Sequence, residues 1–577
     1  MIKTILSCLK KYQKESYFSA IFMVLEVFVE VAIPLLMGLL IDQGIEKGSG
    51  DFILKIGLIL LALSLISLLF GVLSASYSAI AASGLAHNIR SMMYHNISNF
   101  SFENIDKFST ASLITRITTD VTNIRNAYQA IIRQAVRAPI MLLLCLILTF
   151  TINVQIAFIF LALVPILGGG LFLVVWKAHP LFEKVFQKYD KLNQVVGENL
   201  RGIRVVKSFV REEQQIQQFT NDSQDIYQNF SKAERIVSWN SPLMQICSYA
   251  SILLIAWIGA KLIVNRGNLT TGQLMSLIGY AMQILMSLML LSFVLVMIVI
   301  ASTSASRVVE VLKEKSTIVN GDEPILEISE GSIEFRQVNF SYVGDLNKLC
   351  LTNLNFKIAS GQTVAIVGST GSGKTSLINL ICRLYDATSG EVLVGGVNVK
   401  EYDLDTLRQG VAVVLQKNVL FRGSIRENLS WGNPQASLSE MDYYVKISQA
   451  QDFINNLENN YETLVLQGGS NFSGGQKQRL CLARALLKQP KILILDDSTS
   501  AIDTKTEALI HQALRDNFPK MTKIIIAQRL SSIQEAQQII VLNDGQIMDI
   551  GSHHELMQRN TIYQEIAASQ FRGDFDE

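Results

Sequence analysis

Apolar positions fall into six long runs, at about 17–41, 53–82, 128–150, 154–176, 243–265 and 274–300. Beyond residue 300 the pattern changes to short strand-like runs alternating with helix-like ones. Each long run reaches the roughly 20 residues that a helix needs to cross a bilayer. A helix buried in a soluble core would be shorter and would keep a polar face. The connectors are uneven. Those near 42–52, 151–153 and 266–273 are short and carry few basic residues, whereas 83–127 (with Arg90, Lys107, Arg116 and Arg125) and 177–242 are long, polar and basic. Basic loops stay on the cytoplasmic side, so both termini, both long segments and everything after 300 are expected inside. A helix of about 30 residues is some 45 Å long, so each long segment is expected to descend as a helix, turn briefly and return. Residues 1–16, with Lys3, Lys10, Lys11 and Lys14 between apolar positions, suit a short helix lying on the inner surface.

Between 301 and 330 the hydrophobic density falls, and Asn320-Gly-Asp-Glu-Pro324 forms a turn cluster. The expected division is a membrane domain over 1–315, a linker over 316–330 and an α/β domain over 331–577. Composition agrees: 49% of the 577 residues are apolar and only 17% charged, as for a membrane part joined to one globular part. A net charge of +1 lacks the basic excess expected of a nucleic-acid binder. The six cysteines are scattered without C-x-x-C pairs and read as small hydrophobes in a reducing setting. No cleavable signal peptide is expected, because the first apolar run is too long for an h-region.

The chemistry centres on Gly368-Ser369-Thr370-Gly371-Ser372-Gly373-Lys374-Thr375, which reads G-x-x-x-x-G-K-[ST] between a buried-strand pattern (Thr363 to Val367) and a helix opening at Ser376. Glycines let successive N–H groups face an anion, and the following helix offers the positive end of its dipole. Lys374 is expected on the β/γ-phosphates and the Thr375 hydroxyl on Mg²⁺. Ile492-Leu-Ile-Leu-Asp496 is an apolar strand ending in an acid, which would bring a carboxylate to the same Mg²⁺. Tyr342 lies where a ring could stack on adenine, although a strand aromatic packed in the core reads nearly the same. Ser473-Gly474-Gly475-Gln476 opens a second helix and is a second anion-binding device. One nucleotide per domain does not need two such devices, so the second would serve a nucleotide held by another copy of the domain. In the first apolar run Glu26 and Glu30 share a helix face. Carboxylates at bilayer depth normally face a bundle interior or water. The two either line a cavity that attracts a cationic or proton-linked substrate or are satisfied by neighbouring helices.

Taken together, these motifs resemble a half-transporter of the ATP-binding cassette (ABC) exporter family, over essentially the whole chain. The resemblance implies six membrane helices fused to a P-loop cassette domain that binds ATP and Mg²⁺. It makes Ser473 to Gln476 the signature loop, Gln416 the Q-loop residue and a Mg²⁺ ligand with Thr375 and Asp496, Ser500 to Asp503 the D-loop, and Tyr342 the adenine-stacking ring. Leu113-Ile-Thr-Arg116 with Asp120, and Gly202 to Phe209 with Arg211-Glu-Glu213, match the family's inner segments. Family members work as pairs, with ATP held between the P-loop of one cassette and the signature loop of the other.

Three positions depart from the family. Asp497 stands where a glutamate usually polarises the attacking water, Gln528 replaces the switch histidine, and Gln467 replaces a glutamate ahead of the signature. A carboxylate withdrawn by about 1.5 Å can cost roughly 10²-fold in rate. Losing a donor aimed at developing charge costs about 3–4 kcal/mol. The resemblance therefore implies a site that binds ATP and hydrolyses it slowly, in one subunit of a heterodimeric exporter in a bacterial plasma membrane, in contact with membrane lipid and moving a small amphipathic compound. A homodimeric lipid or drug flippase, and a regulatory ATP-binding subunit or nucleotide-gated channel, are the alternatives.

Overall fold

A computed structural model describes residues 1–266, 269–497, 501–526 and 533–573. Its contacts group the chain into two units, Met1–Ser98 with Ser109–Glu314, and Asn99–Phe108 with Lys315–Glu577. The N-terminal half runs through helices α1 (Gln13–Leu39), α2 (Gly50–Ser98), α3 (Phe102–Phe108), α4 (Val121–Ala130), α5 (Val136–Ile152), α6 (Val154–Arg201), α7 (Ile203–Ser208), α8 (Glu212–Val237), α9 (Asn240–Arg266) and α10 (Thr271–Lys313). Among the described residues, six helices in this half are long and apolar enough to cross a membrane. They extend past the six apolar runs because the polar segments continue the same helices. Of the two short pieces that turn these extensions around, α3 groups with the second unit and α7 with the first.

Within the first unit, α1 meets α5 and α10 around Met23, Val27 and Val31, packed with Met141, Cys145, Tyr280 and Ile284. Small residues let α1 and α10 touch: a Cβ on Gly272 would lie 2.0 Å from the Gly38 carbonyl oxygen. Such close backbone approach is how membrane helices gain contact without a hydrophobic drive between them. Pro34 lies inside α1 and leaves the Glu30 carbonyl without its helical donor. Gln283 of α10 supplies one, its Nε2 donating to that oxygen at 3.3 Å. Nearer the helix end, Asp42 accepts from the Gly272 N–H at 2.7 Å and the Thr270 hydroxyl at 2.5 Å. Toward the other end of α10, fully buried Asp120 takes a two-pronged contact from Arg307 (2.8 and 2.5 Å) and a third from Ser304 at 2.9 Å.

The second unit holds two main sheets and a two-stranded ribbon of Gly423–Ser424 with Leu464–Val465. Strands β1 (Ile333–Phe340), β2 (Leu351–Ile358), β4 (Ser389–Val394) and β5 (Val397–Asn398) form an antiparallel sheet in the order β2-β1-β4-β5. The other sheet contains β3 (Thr363–Val367), β6 (Val411–Val414), β7 (Ile492–Asp496), β8 (Thr522–Ile526), β9 (Gln538–Asn543) and β10 (Gln546–Gly551), ordered β10-β9-β3-β8-β7-β6. All of its pairings are parallel except β9 with β10. The two-residue period of β3 sorts its side chains. Val364 and Ile366 pack with Phe335, Val338 and helix α11 (Lys374–Ile381), while Ala365 and Val367 pack with helix α12 (Gly474–Leu486). Buried on both faces, the parallel strands read as unbroken apolar runs. The carboxyl ends of β3 and β7 carry the glycine loop and Asp496, the edge where open α/β sheets bind ligands. Residues 316–330, expected as a linker, pack onto this unit: Arg383 donates to the Val319 carbonyl and Ile325 bridges to Tyr402.

Candidate functional site

The glycine loop joins β3 to α11, and its shape needs glycine at two kinds of position. A Cβ on Gly368 would lie 2.0 Å from the Leu542 carbonyl oxygen, a backbone atom that cannot yield. Gly371 and Gly373 adopt φ of +86° and +98°, a region that side chains disfavour. Lys374 is the first residue of α11, and its ammonium bends over the loop to donate to the carbonyls of Gly368 (2.9 Å) and Ser369 (2.7 Å) and to the Ser372 hydroxyl (3.3 Å). A polyphosphate seated on the loop would take over these donors. Burial pushes the Lys374 amine below the ordinary lysine range, and the charges of Asp496 and Asp497 partly restore it. Asp496, buried at the end of β7, is raised by burial first and by Asp497 second. Both shifts disfavour the charged forms, a cost that a ligand bringing phosphate and a cation would offset. Thr375, Asp496 and Gln416 offer a hydroxyl, a carboxylate and an amide oxygen, hard donors that suit Mg²⁺ once phosphate and water complete the shell.

Asp497 follows Asp496 directly and departs from strand geometry at φ +46°. Its N–H donates to the Ile526 carbonyl at 2.7 Å, which ties the ends of β7 and β8 together. Its carboxylate oxygen Oδ2 accepts from Gln416 Nε2 at 3.0 Å. Gln528 and Ser500 lie outside the described residues.

Ser473 caps α12 through a reciprocal pair. Its hydroxyl accepts from the Gln476 N–H at 3.3 Å, and the Gln476 side chain accepts from the Ser473 N–H at 2.9 Å. Gly474 and Gly475 face Ala501, where added Cβ atoms would lie 3.0 Å from its Cβ and 2.8 Å from its carbonyl oxygen. Asp503 caps helix α13 (Thr504–Asn517) by accepting from the Thr506 N–H at 2.9 Å. Gln467 sits in a short 3₁₀ turn ahead of the signature loop.

Tyr342 is 42% exposed beside α11, with its hydroxyl 2.9 Å from Ser376 Oγ. Asn379 Nδ2 approaches the same hydroxyl at 3.5 Å, and the Cys350 thiol lies 3.5 Å from Ser376 Oγ. Tyr385 packs edge-on against Tyr342, with ring centroids 5.1 Å apart at 88°. Sequence reasoning missed Tyr385, which stands between α11 and β4 with no motif to mark it.

In the membrane half, Glu26 and Glu30 do not stand alone. Arg137 of α5 donates to Glu26 Oε1 at 3.0 Å and to Glu30 Oε1 and Oε2 at 2.8 and 2.6 Å. Gly71 of α2 lies opposite, where a Cβ would come 3.2 Å from Glu26 Oε1. The readable sign of Arg137 was a basic residue inside an apolar run.

Comparison with known proteins agrees with this anatomy. Residues 17–306 match the family model described as the ABC transporter transmembrane region, and residues 351–500 match the one described as ABC transporter. YfiB of Bacillus subtilis, an uncharacterised ABC transporter ATP-binding protein, is 34% identical over 570 residues, spanning 98% of both chains. A Mycobacterium tuberculosis protein of the same description, Rv1273c, is 32% identical over 93% of both. A solved bacterial Atm1-family ABC exporter with ATP bound has a similar fold, with a TM-score of 0.84 over 97% of this chain and 99% of that one, at 23% identity.

Proposed function

The chain belongs to the ABC transporter family, ATPase-coupled transporters with a membrane domain and an ATP-binding domain, and we propose that it is the hydrolysis-impaired half of a heterodimeric exporter. The observation that carries this reading is Asp497, a shortened carboxylate at the end of β7 whose Oδ2 is occupied by Gln416. The side chains that would hold phosphate and Mg²⁺ (Lys374, Thr375, Asp496) all stand at the sheet edge, so ATP binding is retained while water activation is weak. Mg²⁺, held by Thr375 and Asp496, would supply charge neutralisation to the phosphates. Gln528 in place of the switch histidine points the same way.

The partner would use this chain's signature loop. Ser473 and Gln476 hold each other in the cap, which leaves the first turn of α12 shaped to receive a phosphate. The tip around α7 supports a second subunit, because Leu200, Val205, Phe209 and Val210 are 68%, 59%, 71% and 81% exposed. An apolar tip of that size needs a protein cover. In the assembly this chain's own site acts as a clamp, and the partner's site, with its own glutamate and histidine, turns over.

The cargo of this reading is an amphipathic or hydrophobic compound moved outward across a bacterial plasma membrane. Glu26, Glu30 and Arg137 are the polar element of its path, and Glu26 Oε2 is buried with no hydrogen-bond partner among the described residues. Purified alone in lipid, the chain should bind ATP and turn it over slowly; brisk turnover would favour the homodimeric flippase. Co-purified with a half-transporter that carries the glutamate and histidine, it should drive ATP-dependent uptake of a fluorescent cation into inverted vesicles. ATP binding there without uptake would favour a regulatory subunit or channel.

A further inference from the structure

The ATP-binding unit includes ten residues that lie far ahead of it in the chain, Asn99–Phe108. They carry α3, and α3 rests on the aromatic cluster beside the P-loop. Tyr385 donates its hydroxyl to Asp106 Oδ2 at 2.6 Å, and Phe102 lies against the same ring with centroids 6.2 Å apart. The other side of Tyr385 is the edge-on contact with Tyr342. Phe340 backs both rings, at 5.8 Å from Tyr385 and 4.7 Å from Tyr342. Tyr342 in turn reaches Ser376, the residue after Thr375.

Two properties make this chain of contacts directional. An edge-to-face pair prefers a defined angle, so the plane of Tyr342 follows that of Tyr385. A hydroxyl donating to a carboxylate is among the stronger neutral–ionic hydrogen bonds, so the plane of Tyr385 follows Asp106. Burial, then Asp106, hold the Tyr385 phenol above the ordinary tyrosine range, and it remains a donor throughout the neutral range.

We propose that Asp106 and Tyr385 are positioning residues for the nucleotide base: α3 sets the plane of Tyr342 through Tyr385, and thereby the affinity for ATP's adenine as distinct from its phosphates. The proposal rests on the reading of Tyr342 as the base platform. It has a reciprocal consequence, since base binding must favour the docking of residues 99–108 by the same factor that docking favours the base.

The test uses the full chain in lipid nanodiscs, with a fluorescent ATP analogue displaced by ATP or by inorganic tripolyphosphate. Tyr342→Ala should bring ATP down to the level of tripolyphosphate; a variant that still prefers ATP would refute the base-platform reading itself, before the proposal is reached. Given that control, Tyr385→Phe and Asp106→Asn should each weaken ATP by roughly three- to tenfold, the net scale of one ordinary hydrogen bond. Tripolyphosphate should change by less than about twofold, and the double variant should be no weaker than the singles, because both remove one link. Unchanged ATP affinity, equal losses for ATP and tripolyphosphate, or additive losses in the double variant would each overturn the proposal. As a second readout, ATP and not tripolyphosphate should slow amide hydrogen exchange over residues 99–108, and Tyr385→Phe should abolish the difference. Equal protection by both ligands would refute the link.

Discussion

Gln416 Nε2 donates a 3.0 Å hydrogen bond to Asp497 Oδ2, joining the loop after β6 to the carboxylate that follows β7. In the reading proposed above the first side chain belongs on Mg²⁺ and the second on the attacking water, so two positions proposed for the chemistry are engaged with each other.

Lengthening the carboxylate should reverse this. Asp497→Glu is expected to raise ATP turnover at this site by about tenfold, part of the 10²-fold that a misplacement near 1 Å can cost. The measurement is phosphate release from the assembled transporter with the partner's own catalytic glutamate neutralised. No increase would mean that another position, with Gln528 first in line, limits the step.

The membrane triad gives a stability prediction. Arg137 and Glu26 are about three-quarters and nine-tenths buried, so removing the shared cation strands two acids. Arg137→Met should destabilise the solubilised chain by about 3–5 kcal/mol. Neutralising both acids as well (Glu26→Gln, Glu30→Gln) should recover much of the loss. A thermal melt in which Arg137→Met matches the wild type would show the triad to be solvated.

The signature loop predicts a defect that appears at a distance. Gly475→Ala places a methyl 2.8 Å from the Ala501 carbonyl oxygen, so α12 or the D-loop must shift. This chain's own ATP affinity should stay within about twofold, while hydrolysis at the partner's site falls at least tenfold, as for misplaced groups. Reduced binding of ATP to this chain alone would instead show that the two loops are coupled within one cassette.

Lys523 supplies a pH dependence. It is buried on β8, donates to the carbonyls of Phe518 (2.7 Å) and Met521 (3.2 Å), and is pushed down to about 8 by burial, then by Arg515. Unfolded, the amine keeps its proton to about pH 10.4. Between about pH 8 and 10.4 the unfolded chain therefore holds more protons, and stability rises with pH through that window. Relative to Lys523→Met, the wild type should gain up to about 3 kcal/mol across it, at 1.36 kcal/mol per unit. Denaturation at stepped pH would show a flat difference if the amine is not held neutral.

The elements that were readable from the sequence are those whose signal is local. Apolar runs of bilayer length, the glycine loop between strand and helix, and the acid at the end of an apolar strand each carry their own geometry within a dozen residues. What was hidden depends on pairing across the chain. Glu26 could be seen as a buried acid, but its partner Arg137 is 111 positions away, and only the packing of α1 on α5 selects it. Tyr385 reads as one more aromatic after a helix until α3 is brought against it. Gln416 and Asp497, 81 positions apart, were each identifiable, while their hydrogen bond was not.

The 279 positions between Asp106 and Tyr385 also set a schedule for synthesis. At about 5–20 residues per second, a ribosome needs roughly 15–60 s to travel from one to the other. During that interval α3, with Phe102 on its surface, has been made and its seat has not. A fragment beginning at the P-loop half would lack this piece of its own aromatic cluster. A lesion at 99–108, in the membrane half by numbering, would be felt as an incomplete nucleotide unit.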